Sequence, residues 1–280
     1  MRRVVLFVLL VVLWAAACAG DGSTPTARPA HAPADDTMWF IHDAPDGTHV
    51  LVGIIRPPGS PLTDRASVLL VPGTDGLNVD YDLFGHQLAQ LGFDVAIGCW
   101  FADAPGTPTS PLIGCAEAPP FKGVTDAAVP DLDALVAAAQ DALHPSHLAL
   151  VGFSRGGGIA MLRAAHGATE PVVSVAGMLE GWTNIGTVPG EVDIVQRAGD
   201  IHAPVLLLHG ENDTAVPVEQ AQHMEQALRA QHADVTSHYY PGQGHGLAAD
   251  PATRRDLLAR IFAFLCRHLQ WECVNPAVGG

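Results

Sequence analysis

Apolar residues along most of this chain occur in short runs without polar alternation, a pattern typical of strands that are covered on both faces of a sheet. Longer segments with apolar residues at helical spacing lie between these runs. The alternation predicts a mostly parallel sheet with helices on both faces. The predicted strands are 67–71, 94–98, 147–152, 172–176, 205–209 and 236–240, and the predicted helices are 80–91, 124–143, 156–166, 218–231 and 251–269.

Two features flank or interrupt this alternation. Residues 38–42 and 49–55 enclose Asp46-Gly47, which predicts an antiparallel hairpin at the start of the sheet. Residues 177–202 fit no strand or long helix and predict a pocket wall, too short for a large lid domain. Since no linker divides the pattern, residues 38–280 are predicted to form a single α/β domain of about eight strands.

The N-terminus has the pattern of an export signal. Arg2 and Arg3 precede an uncharged apolar run over residues 4–17, which is shorter than the roughly 20 residues of a membrane-spanning helix. Residues 1–17 are therefore predicted to be a signal peptide rather than a retained transmembrane helix, and the protein to be exported. Arg2-Arg3 lacks the remainder of a twin-arginine signal.

The end of this signal allows two outcomes. Ala15-Ala16-Ala17-Cys18 resembles a bacterial lipobox, with Ala15 where Leu is preferred. The favoured prediction is lipidation of Cys18 as the first mature residue, whereas plain cleavage after Ala17 would give a freely secreted protein. Residues 18–37, rich in Pro and Ala, predict a flexible tether, so that any membrane association would run through Cys18.

Four further cysteines, an even number, suit an oxidising compartment. Disulfides joining Cys99 to Cys115 and Cys266 to Cys273 are favoured, because each closes a short loop. Zinc is the rival ligand, but no Cys-x-x-Cys pair occurs, and four free core thiols are the other alternative.

Charge and composition limit the partners. The formal net charge is −15 with only 14 Lys and Arg, which argues against nucleic acid. With 48% hydrophobic and 15% charged residues, the chain is globular, and we expect a monomer acting on a small-molecule substrate.

A candidate nucleophile follows the central predicted strand. There the sequence Gly152-Phe153-Ser154-Arg155-Gly156 leads into a helix. A Gly-x-Ser-x-Gly turn between strand and helix exposes the serine hydroxyl above the sheet, and this context makes a weak motif informative.

A base and an acid are expected at later strand ends. His245, in the glycine-rich loop after the last strand, is the candidate base, whereas His223, His232 and His268 are expected to be solvated on helix faces and His209 to be a structural hydrogen-bonding residue. Asp213 is the candidate acid, with Glu180 as the alternative. The order Ser154, Asp213, His245 is that of α/β-hydrolases.

These motifs resemble the α/β-hydrolase superfamily, within it the dienelactone-hydrolase-like and secreted esterase group, over residues 66–269. Asp213 to Pro217 matches the family pattern Asp-x-x-Val-Pro. The resemblance implies a Ser-His-Asp hydrolase that needs no metal or cofactor. Dienelactone hydrolases carry Cys where this chain has Ser154, so their lactone substrate is not carried over.

The resemblance also implies an oxyanion hole built from two main-chain N–H groups. The Arg155 amide is one, and the Thr74 amide, preferred over Asp75, is the other; Pro72 stands where the family usually has His. Trp100, Trp182 and Tyr81 are candidate substrate-binding residues, each of which could equally be a packing residue. The Arg155 side chain could attract an acidic acyl group or form a surface ion pair.

The expected reaction is hydrolysis of a carboxylic ester through an acyl-enzyme. Peptide or amide substrates come second and polyesters third. A non-catalytic binding protein on the same fold is the rival from another class.

Overall fold

The computed structural model describes residues 37–43, 49–57, 66–100 and 123–269. Within them lies an eight-stranded sheet in the order β1-β2-β4-β3-β5-β6-β7-β8. β2 pairs antiparallel with both β1 and β4, and every other pair is parallel. The predicted fold class is thus confirmed. The strands are β1 Met38–Asp43, β2 His49–Ile55, β3 Ala66–Val71, β4 Asp94–Gly98, β5 His147–Phe153, β6 Val172–Val175, β7 Val205–Gly210 and β8 Val235–Tyr240.

Five α-helices connect or follow these strands: α1 Val79–Gln90, α2 Val129–Leu143, α3 Arg155–Ala165, α4 Val218–Ala230 and α5 Pro251–His268. Their ends lie within a residue or two of the predicted ones except at the start of α2. There a 3-10 turn, Asp126–Ala128, precedes the helix. Pro130 explains the difference, because it lacks an N–H and is best accommodated in the first turn of an α-helix.

The strand order places the helices on both faces of the sheet. The connection from β3 through α1 to β4 runs in one direction along the sheet, and the connection from β4 through α2 to β5 runs back. Since such crossovers are right-handed, α1 and α2 lie on opposite faces. α3 packs beside α2, and Phe262 of α5 packs on Phe93, directly after α1, with ring centroids 6.0 Å apart.

Burial explains the unbroken apolar runs. All six residues of β3 and all five of β4 are buried. Each side chain of these central strands packs under a helix on one face or the other, so that polar alternation would place uncompensated groups in the core. No described helix is both long and apolar enough to cross a membrane.

The expectations for the termini fall partly outside this description. Cys99 and Cys266 are each disulfide-bonded. Cys115 and Cys273 lie outside the described residues, so the pairing stays a prediction. The proposed signal peptide, Cys18 and the tether up to residue 36 also lie outside them.

Candidate active site

The site lies where the strand order reverses. β3 has β4 on one side and β5 on the other, and Val71 at the end of β3 pairs with Gly152 near the end of β5. In open α/β sheets a crevice forms at such a switch point, beyond the carboxyl ends of the strands. The loop after β3, residues 72–76, therefore meets the turn after β5.

Ser154 occupies that turn in a strained backbone conformation. Its φ is 52° and its ψ is −122°, a region that residues with a side chain seldom adopt. The two flanking glycines are required by close packing of the main chain. A Cβ on Gly152 would collide with the Gly156 carbonyl, and one on Gly156 would collide with the Val71 and Pro72 carbonyls. The Gly-x-Ser-x-Gly spacing thus follows from the space between β3, β5 and α3.

The structure brings the three predicted residues into one hydrogen-bonded row. His245 Nε2 lies 3.1 Å from Ser154 Oγ, and His245 Nδ1 lies 2.7 Å from Asp213 Oδ2. The imidazole is 30% exposed, whereas the Asp213 side chain is fully buried. A buried carboxylate on Nδ1 fixes the ring orientation and leaves Nε2 to accept a proton from the serine hydroxyl.

Asp213 is held by donors on both of its oxygens. Oδ1 accepts the N–H groups of Ala215 and Val216, each at 2.9 Å. Oδ2 receives His245 and also faces Nε2 of the buried His209 at 3.1 Å. Burial alone would raise the pKa of Asp213, but hydrogen bonds from His209, His245 and Val216 outweigh it and hold this pKa well below its ordinary value.

The two predicted oxyanion donors belong to the same cavity as the serine. Arg155 is the first residue of α3, and Thr74 lies in the loop after β3; both line the cavity with Ser154 and His245. The first N–H groups of an α-helix have no acceptor within the helix and carry its positive dipole end. Such groups can stabilise negative charge that develops on a carbonyl oxygen.

Two of the predicted substrate-binding residues hold the loop after β3 in place. Trp100 is fully buried and donates its Nε1–H to the Pro72 carbonyl at 3.0 Å. It does not line the cavity, so its prediction as a substrate-binding residue is wrong. Tyr81 does line the cavity, while its hydroxyl accepts the Gly73 N–H at 3.0 Å and donates to Asp75 at 3.1 Å.

The Arg155 side chain forms a buried ion pair, contrary to the expectation of a surface pair or an exposed anion-binding group. Its Nε lies 2.5 Å from Glu191 Oε1, and the two side chains are 5% and 0% exposed. Its other nitrogens donate to Thr74 Oγ1 at 3.0 Å and to the Gly186 carbonyl at 2.7 Å. Arg155 thus ties the loop after β3 to residues 177–202.

Ser154 opens onto a cavity of about 740 Å³. Most of its described lining is apolar, which is usual for small-molecule sites. Ile185 contributes the one lining residue from residues 177–202, so that segment forms part of the pocket wall, as predicted. The described lining comprises Thr74, Asp75, Asn78, Asp80, Tyr81, Leu83, Phe84, Gln87, Phe153, Ser154, Arg155, Val175, Ala176, Ile185, His245, Gly246, Leu247, Ala248, Ala249 and Arg254.

Other candidates lie away from this cavity. Trp182 is not among the described lining residues and donates to Glu180 at 3.3 Å, so a substrate contact there stays a prediction. Glu180 binds His223 at 2.6 Å rather than His245, which removes the alternative acid. His268 is not solvated as expected, since its side chain is 9% exposed and packs on Phe264. No cluster suited to a metal ion occurs among the residues that the structure describes.

Sequence reasoning missed two functional neighbours of the triad. Glu191, the partner of Arg155, lies in the irregular segment, where no periodicity marks it. For Asp75 the sequence pointed only to its main-chain N–H, although the place of this residue in the loop after β3 was a usable signal for its side chain.

The chain is similar to known proteins in sequence and in fold. A model of the dienelactone hydrolase family matches residues 53–261. A Salmonella typhimurium protein named "Putative carboxymethylenebutenolidase" is 41% identical over 104 residues, 37% of each chain, so the match spans little more than a third of that relative. The fold is similar to that of the "Putative Dienelactone Hydrolase" of Klebsiella pneumoniae, with a TM-score of 0.66 and 25% identity over 83% of this chain and 100% of that one. It is also similar to a puromycin-hydrolyzing peptidase of Mycobacterium tuberculosis, with a TM-score of 0.68 and 21% identity over 84% of this chain and 40% of that one.

Proposed function

The chain belongs to the dienelactone hydrolase family, a family of hydrolases, and from that premise we propose that it hydrolyses carboxylic esters by a Ser-His-Asp acyl-enzyme mechanism. The observation that carries the proposal is the row from Ser154 Oγ through His245 to Asp213, with contacts of 3.1 and 2.7 Å. A binding protein has no need of a strained serine aligned with a histidine and a buried carboxylate.

In the first half-reaction Ser154 Oγ attacks the ester carbonyl while His245 Nε2 takes the hydroxyl proton. Asp213 stabilises the imidazolium that forms, and the negative charge on the carbonyl oxygen meets the Arg155 and Thr74 amides. His245 then gives its proton to the leaving alcohol, and the acyl group stays on Ser154. Water, deprotonated by His245, attacks this acyl-enzyme and releases the acid.

A peptide or amide is the second candidate substrate. A puromycin-hydrolyzing peptidase shares the fold of this chain, and this is the support for the candidate. At 21% identity the similarity is one of fold alone. The name "Putative carboxymethylenebutenolidase" of the Salmonella relative favours an ester-type bond, since a butenolide is a cyclic ester. Carboxymethylenebutenolide itself is not part of this proposal.

A covalent probe and short substrates test the proposal together. We expect a fluorophosphonate to label the wild-type protein and p-nitrophenyl esters to be hydrolysed faster than the matching p-nitroanilides. Ser154→Ala should abolish both labelling and turnover. Ser174→Ala is the matched control, because Ser174 is buried on β6 and its Oγ has no hydrogen-bond partner among the described residues. An unlabelled wild type without ester turnover would refute the enzyme, and faster anilide cleavage would favour the amidase.

Export is a separate proposal that rests on residues 1–17 alone. A lipid at Cys18 would hold the domain at a membrane surface through the tether, whereas cleavage without lipidation would release it.

A further inference from the structure

Asp75 places a carboxylate beside the nucleophile. A carbon atom built on Gly73 would lie 3.1 Å from Ser154 Cβ and 3.3 Å from Asp75 Oδ1, so the serine and the carboxylate border the same small space. Asp75 also lines the cavity into which Ser154 opens. Any ester bound at Ser154 therefore lies close to this side chain.

The described partners of Asp75 leave its charge in place. Tyr81 donates its hydroxyl to Oδ1 at 3.1 Å, and Asn78 donates its amide to Oδ2 at 2.7 Å. Both donors are neutral, so they fix the orientation of the carboxylate without cancelling its charge. Burial raises the pKa of Asp75 above its ordinary value, and the hydrogen bonds from Tyr81 and Asn78 limit that rise.

The rest of the described lining has few positive charges that could bind an anion. Asp80 adds a second carboxylate, and Arg254 is the one Lys or Arg side chain besides Arg155, whose guanidinium is already paired with Glu191. The remainder is largely apolar, with Leu83 and Ile185 40% and 67% exposed. This lining suits uncharged groups.

We propose that Asp75 is a specificity-determining residue, which directs the site to uncharged esters and excludes esters that carry a carboxylate. The inference rests on the proposed esterase function and names its substrate class. Two like charges within a few ångströms repel each other strongly in a partly desolvated site, whereas a neutral ester avoids this cost. Monoesters of dicarboxylic acids, which carry a free carboxylate, and esters with an anionic leaving group are thus poor substrates.

Charge-matched substrate pairs test this directly. On the acyl side, p-nitrophenyl hexanoate is compared with the p-nitrophenyl monoester of adipic acid, which has the same number of acyl carbons. On the leaving-group side, two acetate esters are compared: methyl m-acetoxybenzoate, whose phenol leaving group is uncharged elsewhere, and m-acetoxybenzoate, whose leaving group carries a carboxylate. The readout is the ratio of kcat/KM for the anionic ester to kcat/KM for the neutral one, so a general loss of activity cancels.

We expect Asp75→Asn to raise this ratio about tenfold for at least one pair, as removal of a like charge from a partly screened site allows. Asp80→Asn is the matched control: Asp80, like Asp75, is an exposed carboxylate at the cavity wall, but only Asp75 borders the space next to Ser154, so we expect the ratio for Asp80→Asn to change less than about twofold. For the wild type, raising the salt concentration should also raise the ratio, because salt screens the repulsion.

The outcomes separate the two proposals. A wild type that hydrolyses neither neutral ester contradicts the esterase function. A wild type that hydrolyses neutral and anionic esters equally well, or an Asp75→Asn variant whose ratios stay at the wild-type values, overturns the role of Asp75 and leaves the esterase intact.

Discussion

Replacing Glu191 with Gln would remove the charge opposite the Arg155 guanidinium while keeping the shape of the side chain. Arg155 donates Nε–H to one Glu191 oxygen at 2.5 Å and Nη2–H to the other at 3.2 Å. A glutamine retains one acceptor but turns an N–H donor toward the cation. Because both side chains are almost fully buried, water cannot replace the lost partner.

We expect Glu191→Gln to lower the free energy of unfolding by roughly 3 to 5 kcal/mol, the usual cost of breaking a buried ion pair by changing one of its partners. The matched control is Glu170→Gln. Glu170 pairs with Arg163 at 2.9 Å, but their side chains are 21% and 13% exposed, and Asp133 still binds Arg163. The control should lose about 1 kcal/mol or less, since water and Asp133 compensate for the change.

Denaturant unfolding of the three proteins supplies the measurement. Turnover of a neutral ester, assayed where each variant is folded, adds a functional readout. Arg155 donates to Thr74 Oγ1, so loss of its counter-charge should displace the loop after β3 and lower kcat about tenfold, less than the roughly 10²- to 10³-fold cost of removing an oxyanion donor outright. If Glu191→Gln were no less stable than Glu170→Gln, the conclusion that the buried Arg155–Glu191 ion pair stabilises the site would be refuted.

Two further predictions concern other polar contacts. His209 Nε2 lies 2.9 Å from the Val216 carbonyl and 3.1 Å from Asp213 Oδ2, so its N–H is shared between the two oxygens. His209→Leu, which removes this N–H, should lower kcat about tenfold with little change in KM, whereas His209→Gln, which restores an N–H at similar reach, should recover most of it. Equal losses in the two variants would contradict a positioning role. Hydrogen bonds from Arg197 and then His166 lower the pKa of Asp126 from 3.8 to about 2. Because this folded-state pKa is depressed, the carboxylate stabilises the fold above the unfolded value and loses that effect as the pH falls through about 2. Wild type should therefore exceed Asp126→Asn in stability by under about 1 kcal/mol at pH 6, and urea unfolding should show this difference vanishing in acid.

Strands and triad residues could be predicted from the sequence because each has a local signal. A central strand buried on both faces is mostly apolar, as in β3 and β4, where Ser67 and Asp94 near the strand starts are the polar exceptions, so their bounds were predicted to within one residue. Ser154, Asp213 and His245 each follow a strand, and parallel strands bring their carboxyl ends to one edge of the sheet. Chain order and sheet topology together therefore predicted their proximity.

The roles of Trp100 and Trp182 could not be predicted in the same way. Position in the chain places both residues near the carboxyl ends of strands, but it does not say to which side an indole turns. Trp100 turns into the core beneath the loop after β3, and Trp182 turns toward Glu180. The pairing of Arg155 with Glu191 could not be predicted either. Glu191 belongs to the irregular segment 177–202, and no periodic sequence pattern indicates where that segment runs.

Three side-chain contacts converge on the loop after β3, and they support the proposal that an oxyanion hole forms there without the histidine usual before the glycine. Trp100 holds the Pro72 carbonyl, Tyr81 holds the Gly73 N–H, and Arg155 holds the Thr74 hydroxyl. Three successive residues of the loop are thus fixed by side chains from three different parts of the chain. Donors that are fixed before the substrate arrives need no reorganisation when charge develops, which is the condition for strong stabilisation of an oxyanion. In this protein Pro72, which has no N–H to place, contributes its carbonyl instead, and the buried Trp100 supplies the rigidity of the loop.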